Sequence, residues 1–223
     1  MFLFNLQRPE YYVFNILFAA LLPVICRYYA VEAGHSRAYF STISGNYLLA
    51  PERWFFAIGV SIFICVYLST YGFLSLRFAN LESGLSRYLL VLESAILLIF
   101  LLISWFPAHL VLGLHALLGS LLFTSAIMWM SSLCFIDAND PIFLQALRFM
   151  ILVLAAMSLL GMMAFFPAQL IAELVGSRGD TQRTLYLLAL DSRWTNFAVF
   201  EWIFYYMVLA FLLSYTPSWL VDY

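Results

Sequence analysis

Hydrophobic residues in this chain come in long unbroken runs rather than in alternation with polar ones. Six runs are long enough to cross a hydrocarbon core, which takes about 20 helical residues. They lie near 11–30, 54–76, 88–106, 108–134, 143–166 and 195–216. Only the bend at Pro107 separates the third from the fourth, which predicts a tight helical hairpin. Membrane β-strands alternate apolar and polar positions, whereas a helix satisfies its own backbone hydrogen bonds, as lipid demands. The predicted fold class is therefore all-α: a polytopic membrane protein, a bundle of six transmembrane helices, forming one domain over residues 1–223.

Composition agrees with that pattern. The chain is 65% hydrophobic and 10% charged, where soluble domains are about half apolar and about a quarter charged. The first run is too long for the hydrophobic part of a secretory signal and reads as a retained span. Net charge is −2, without a polybasic run for anionic headgroups or a basic patch for nucleic acid. No internal repeat or phosphate-binding loop is visible. All ten cations are arginine, so Schiff-base chemistry on an internal lysine is excluded. Cys26, Cys65 and Cys134 form no CxxC pair and read as packing residues. The three histidines lack HxxxH or HxxE spacing, so no metal site is expected. No cofactor motif and no GxSxG elbow are present.

Six spans divide the connections between two sides. Side A holds the N-terminus, the C-terminus and the loops near 77–87 and 135–142. Side B holds the loops 31–53 and 167–194. Arginines near the spans lean weakly toward side B, too weakly to orient the chain. Ionisable residues inside spans are more telling, because they are costly there and face the bundle interior. At a rise of about 1.5 Å per residue, Arg27, His115 and Glu201 fall near the B ends of helices 1, 4 and 6, with Glu52 and Arg53 opening helix 2 at the same side. Near side A, Glu93 and Arg148 share a depth and carry opposite charges, which predicts a structural ion pair. His115, Ala116, Gly119, Ser120 and Thr124 make a small polar face on helix 4, read as packing. Trp202, Tyr205 and Tyr206 likewise read as packing or as a lipid-facing girdle, and His35 as isolated.

The stretch "STISGNYLLAPERWFF", residues 41–56, is the polar exception. Pro51 suits a helix start, where its missing N–H is unpaired in any case, and Glu52 suits the positive end of the helix dipole. Trp54, Phe55 and Phe56 are expected as interfacial anchors. Gly45-Asn46 predicts a sharp turn with positive φ. Such a turn would fold Ser41, Thr42 and Ser44, within a flap over 41–50, onto a side-B site made of Arg27, Glu52, Arg53, His115 and Glu201.

Three segments in order carry a family resemblance: "ISGNYLLAPERWFF"; "YLLVLESAILLIF" followed by "LHALLGSLLF"; and "AVFEWIFYYMVLAFLLSYT". The chain resembles, over nearly its whole length, the six-span proteins grouped as FGF-receptor-activating protein, DRAM and SFK, which include the GPI-anchor lipid remodeller of the Golgi. "PER" is similar to the GPI-remodelling branch and "EW" in the last helix to the DRAM branch. The first loop lacks cysteines found in some relatives. The resemblance implies side A in the cytosol, side B in the lumen, and an endomembrane location, Golgi or ER ahead of lysosome. It implies remodelling of the lipid of GPI-anchored proteins, by acyl transfer to a lyso intermediate or by enabling a partner to do so. His115 is then the candidate base and Glu201 its orienter or an acid. Arg27, Glu52, Arg53, Ser41 and Ser44 are candidate lipid or phosphate contacts. The expected partners are membrane lipids, with GPI-anchored proteins or other membrane subunits, and no nucleic acid. Two other classes stay open: a non-catalytic DRAM-like regulator of autophagy or lipid homeostasis, and a structural subunit of a larger membrane complex.

Overall fold

The computed structural model describes residues 9–35, 42–47, 49–71, 74, 83–106, 112–136, 140–166 and 192–216. Six helices follow one another: α1 (Pro9–Glu32), α2 (Glu52–Tyr71), α3 (Ser83–Trp105), α4 (Leu112–Ile136), α5 (Ile142–Ala164) and α6 (Ser192–Leu213). A short 3-10 turn, Ser44–Tyr47, lies between the first two. All six helices are long and apolar enough to span a membrane, and no strand occurs among the described residues. The protein is an all-α, multi-pass membrane bundle.

Helix limits depart from the hydropathy runs where polar groups intervene. The second run continues to residue 76, yet α2 stops at Tyr71. Beyond that point the Leu74 N–H donates to the Glu93 carboxylate of α3. The fourth run, expected over 108–134, holds α4 at Leu112–Ile136, with 107–111 outside the described residues.

The principal contacts are α1 on α2, α3 on α4 and α5 on α6; α2–α3 and α4–α5 join these pairs, and α1 closes onto α6. α6 also reaches α3 through Phe100–Tyr205 and α4 through Phe123–Phe204 and Trp129–Phe211. It therefore touches α1, α3, α4 and α5. With lipid outside, packing depends on close approach at small residues. A Cβ at Gly59 of α2 would stand 2.5 Å from Leu22 Cδ1 of α1, and one at Gly161 of α5 2.6 Å from the Phe200 ring of α6. Phe14, Val91, Leu98, Phe149 and Leu160 face outward, as a lipid-solvated bundle requires.

α1 contains Pro23, which cannot donate to the carbonyl four residues back, that of Ala19. In lipid an unpaired carbonyl is costly. The Tyr205 hydroxyl of α6 donates to Ala19 O at 2.6 Å, and Tyr206 to Ala20 O at 3.1 Å. Sequence read these aromatics as packing or as a lipid-facing girdle; the Tyr205 hydroxyl takes the place of the donor that Pro23 lacks, and Tyr206 adds a second tie between α6 and α1. Tyr12 and Asn15 of α1 donate to main-chain oxygens of Leu212 and Phe63, tying α1 to α6 and α2.

Glu93 and Arg148, predicted from sequence as an ion pair, each gather partners from other segments. Glu93, 2% exposed, accepts the Tyr67 hydroxyl at 2.5 Å and the Leu74 N–H at 2.8 Å. Arg148, 1% exposed, forms its ion pair with Asp140 at 2.6 Å. It also donates to Ser214 Oγ and to Ser214 O at the end of α6, with its guanidinium 3.7 Å from the Tyr215 ring. Equal depth with opposite charge is a one-dimensional criterion. The two residues sit on α3 and α5, and each found partners on the segments beside it.

The polar face of α4 is likewise not an internal packing surface. Ser120 and Thr124 return their hydroxyls to carbonyls of their own helix, and nothing lies within 4 Å of a Cβ built on Gly119.

Candidate functional site

The end of the bundle between α1 and α2 is assembled from four segments, beginning with the way α1 stops. Gly34 adopts φ 72°, the left-handed conformation that ends many helices. The His35 N–H then reaches Ala30 O at 2.8 Å and the Gly34 N–H reaches Val31 O at 3.0 Å, which closes the last turn. That reversal brings His35 Nδ1 to 3.1 and 3.2 Å from the two carboxylate oxygens of Glu52. His35, which sequence read as isolated, is therefore a partner of the first residue of α2. The contact is an ion pair when the imidazole is protonated and a hydrogen bond when it is neutral.

The next segment is a turn stabilised from within. Thr42 Oγ1 accepts the Gly45 N–H at 2.9 Å, and the Asn46 N–H returns to Ile43 O at 3.1 Å. A side-chain oxygen capping the amide three residues on is the usual role of Thr at a helix start. The positive φ expected at Gly45-Asn46 is absent, since Gly34 is the one positive-φ residue among those described. The sharp reversal is made by 3-10 geometry, which any residue can adopt. Thr42, Ile43, Asn46 and Tyr47 are buried, so this is a packed element and not a surface loop. Ser41 and residues 36–40 fall outside the described residues.

Across from the turn stands Glu201 of α6, 9% exposed. Its Oε2 accepts the Ile43 N–H at 2.9 Å, and the Ser44 backbone N–H reaches the same carboxylate. A buried carboxylate without donors would be very expensive, and here the donors are main-chain amides. Tyr47 lies next to it. Burial first, and then the Glu201 charge, hold the Tyr47 phenol well above its usual range. Its ring stacks on Phe56 at 4.0 Å with 5° between the planes. Phe56, expected as an interfacial anchor, is instead 1% exposed and belongs to the core, while Trp54 and Phe55 face outward as predicted.

The start of α2 completes the assembly. Pro51 O accepts the Trp54 and Phe55 N–H groups and opens the helix. Glu52, 1% exposed, has its carboxylate at the positive end of the helix, and its carbonyl faces Cys26 Sγ of α1 at 3.7 Å. The Arg53 guanidinium lies 5.0 Å from the centre of the Trp54 ring, a cation–π contact at headgroup level. Trp54 also meets Trp105 edge-on at 6.0 Å, and Trp105 Nε1 donates to Ser61 Oγ at 3.1 Å.

Of the residues proposed from sequence, Ser44, Glu52 and Glu201 thus belong to one assembly around the turn, with Arg53 at its rim and Arg27, half-buried, one position after Cys26. His115 has a different anchor. Its Nδ1 lies 3.0 Å from Phe106 O, at the end of α3, so the ring closes the α3–α4 hairpin. A carbonyl can only accept, so Nδ1 carries the proton and Nε2 is left as the acceptor in the neutral ring. The two candidate catalytic groups share no hydrogen bond. Sequence reasoning missed His35 and Tyr47. The signal for His35 was the preceding glycine; Tyr47 carried none beyond its place after the turn. Among the described residues no group of three or more metal-binding side chains occurs.

Compared with known proteins, the chain matches no family model, no curated protein and no solved structure.

Proposed function

We propose that this membrane protein handles lipid at the end of the bundle where the Thr42–Tyr47 turn meets Glu201, acting on the lipid of GPI-anchored proteins in the Golgi or ER. The observation that carries the reading is the concentration of polar groups there. In a bundle that otherwise presents hydrocarbon to hydrocarbon, four segments bring Glu201, Glu52, His35, Tyr47 and Arg53 to one end. The resemblance of "ISGNYLLAPERWFF" and the Glu201 helix to the GPI-remodelling family supports the choice of substrate. In this reading the lumenal leaflet supplies the lipid, and Arg53 and Arg27 meet its phosphate. His115 Nε2, in the tautomer of a base, takes the proton of the lyso lipid's hydroxyl as that oxygen attacks the carbonyl of an acyl thioester or acyl ester, whose thiol or alcohol leaves with the proton that His115 returns.

A second reading, a non-catalytic regulator of membrane-lipid homeostasis, is favoured by one specific observation. Glu201 is already committed to main-chain amides, and His115 to the Phe106 carbonyl.

One experiment separates the two: the acyl chains on GPI-anchored proteins, measured by mass spectrometry in cells lacking the chain and in cells complemented with variants. Restoration by the natural chain but not by His115→Ala, at equal expression, supports remodelling. Restoration by both points to the regulatory role. Unaltered acyl chains in cells lacking the protein remove GPI remodelling altogether.

A further inference from the structure

The Thr42–Tyr47 turn is tied together internally and seated on two helices, and its main-chain amides reach across to a carboxylate of α6. The Thr42 Oγ1–Gly45 and Asn46–Ile43 O hydrogen bonds make it a self-contained unit. It packs on α1 and on α2, where Tyr47 stacks on Phe56. The hydrogen bonds that carry it to α6 run from the Ile43 and Ser44 N–H groups to the Glu201 carboxylate. A unit attached to α1 and α2 by apolar packing, and to α6 by donors on an acceptor, has a seam along the α6 side.

We propose that this turn is a lid latched on Glu201, and that a membrane lipid with a hydroxyl-bearing headgroup opens it by taking the place of the Ile43 and Ser44 N–H groups. The chemistry of the latch selects the ligand. Glu201 Oε2 already accepts from an amide, so only another donor replaces what it would lose. A phosphate or carboxylate headgroup brings acceptors to an acceptor and gains nothing there. A neutral hydroxyl is also cheaper to bring into an apolar surround than a charged group. The lid thereby makes the site autoinhibited: the carboxylate within the proposed lipid site is the one that holds the turn shut. The inference rests on that assignment for its biological meaning, but the lid is measurable without any activity.

The test is hydrogen–deuterium exchange of the full chain in nanodiscs, read at residues 42–47 against peptides from α3 to α5. In phosphatidylcholine nanodiscs, Glu201→Ala should raise exchange of the turn by about tenfold or more, the size of losing a hydrogen bond to a charged group, while α3 to α5 stay protected. Adding monoolein, a hydroxyl-bearing lipid without phosphate, should raise exchange of the turn in the natural chain and leave Glu201→Ala unchanged. Adding phosphatidic acid should do neither. Unchanged protection of the turn in Glu201→Ala overturns the latch. Opening by phosphatidic acid but not by monoolein overturns the ligand class. Should Glu201→Ala unfold throughout, Thr42→Val serves instead: it loosens the turn by removing its cap and leaves Glu201 in place. Exchange raised only at 42–47, and raised further by monoolein, then supports the lid; a turn that monoolein does not affect contradicts it. A lid that opens in cells whose GPI-anchored proteins never needed this chain leaves the latch standing and removes only the assigned function.

Discussion

A guanidinium as deeply buried as that of Arg148, 1% exposed, keeps its charge only with acceptors gathered around it. Asp140, the Ser214 hydroxyl and carbonyl, and the Tyr215 ring provide them. The neighbouring pattern is the same with sign reversed: Glu93 and Glu201 each collect main-chain N–H groups from a connection. In each case a charge inside the bundle fastens a segment outside its own helix. Removing one partner should therefore hurt more than removing both. Arg148→Ala should cost about 3 kcal/mol or more of stability, because it strands the Asp140 carboxylate. Adding Asp140→Ala to it should recover part of that loss. Denaturant unfolding in detergent measures both; a double variant no more stable than Arg148→Ala alone contradicts the pairing.

At the scale of the element, α1 is a helix with a missing donor and α6 is the helix that supplies it. Pro23 leaves the Ala19 carbonyl without its intrahelical partner, and the Tyr205 hydroxyl takes that place. A double-mutant cycle tests this directly. Tyr205→Phe alone should destabilise by about 1–2 kcal/mol, the cost of an unpaired buried acceptor. In a Pro23→Ala background the same change should cost nearly nothing, because the alanine N–H restores the bond within α1. Equal costs in both backgrounds would separate the tyrosine from the proline. The long apolar runs made the helices legible, and Pro23 stands in the sequence for anyone to read. Which hydroxyl meets its orphaned carbonyl was not legible, because that depends on the rotation of α6 against α1.

For the whole molecule, six crossings place successive connections on alternating sides. Ala33, after α1, and Arg87, near the start of α3, are both exposed and lie at opposite ends of the bundle. Cysteines introduced at Ala33 and Arg87 should react with a membrane-impermeant maleimide from opposite faces of sealed vesicles. Labelling of both from one face would break the six-span topology. The native Cys65 is exposed within the span of α2 and faces lipid, so it contributes little background to an aqueous reagent.

By itself the sequence determined the solvent, the class and the depth of each polar residue. A run of about 20 apolar residues has no stable place but a membrane helix, and a rise of about 1.5 Å per residue converts position into depth. That much sufficed to bring Glu201, Glu52 and the 42–47 segment to one end. Depth is a single coordinate, however, and it leaves the rotation of each helix and its neighbours open. Glu93 and Arg148 each take partners from connections that depth alone did not single out, Leu74 for one and Asp140 for the other. His115 and Glu201 were predicted at one level and hold separate carbonyl and amide groups. His35 joins Glu52 only because Gly34 reverses the chain. Tertiary structure decided those pairings because buried charges and orphaned main-chain groups are satisfied across helices, by whichever donors and acceptors the packing of α6 against its neighbours brings within about 3 Å.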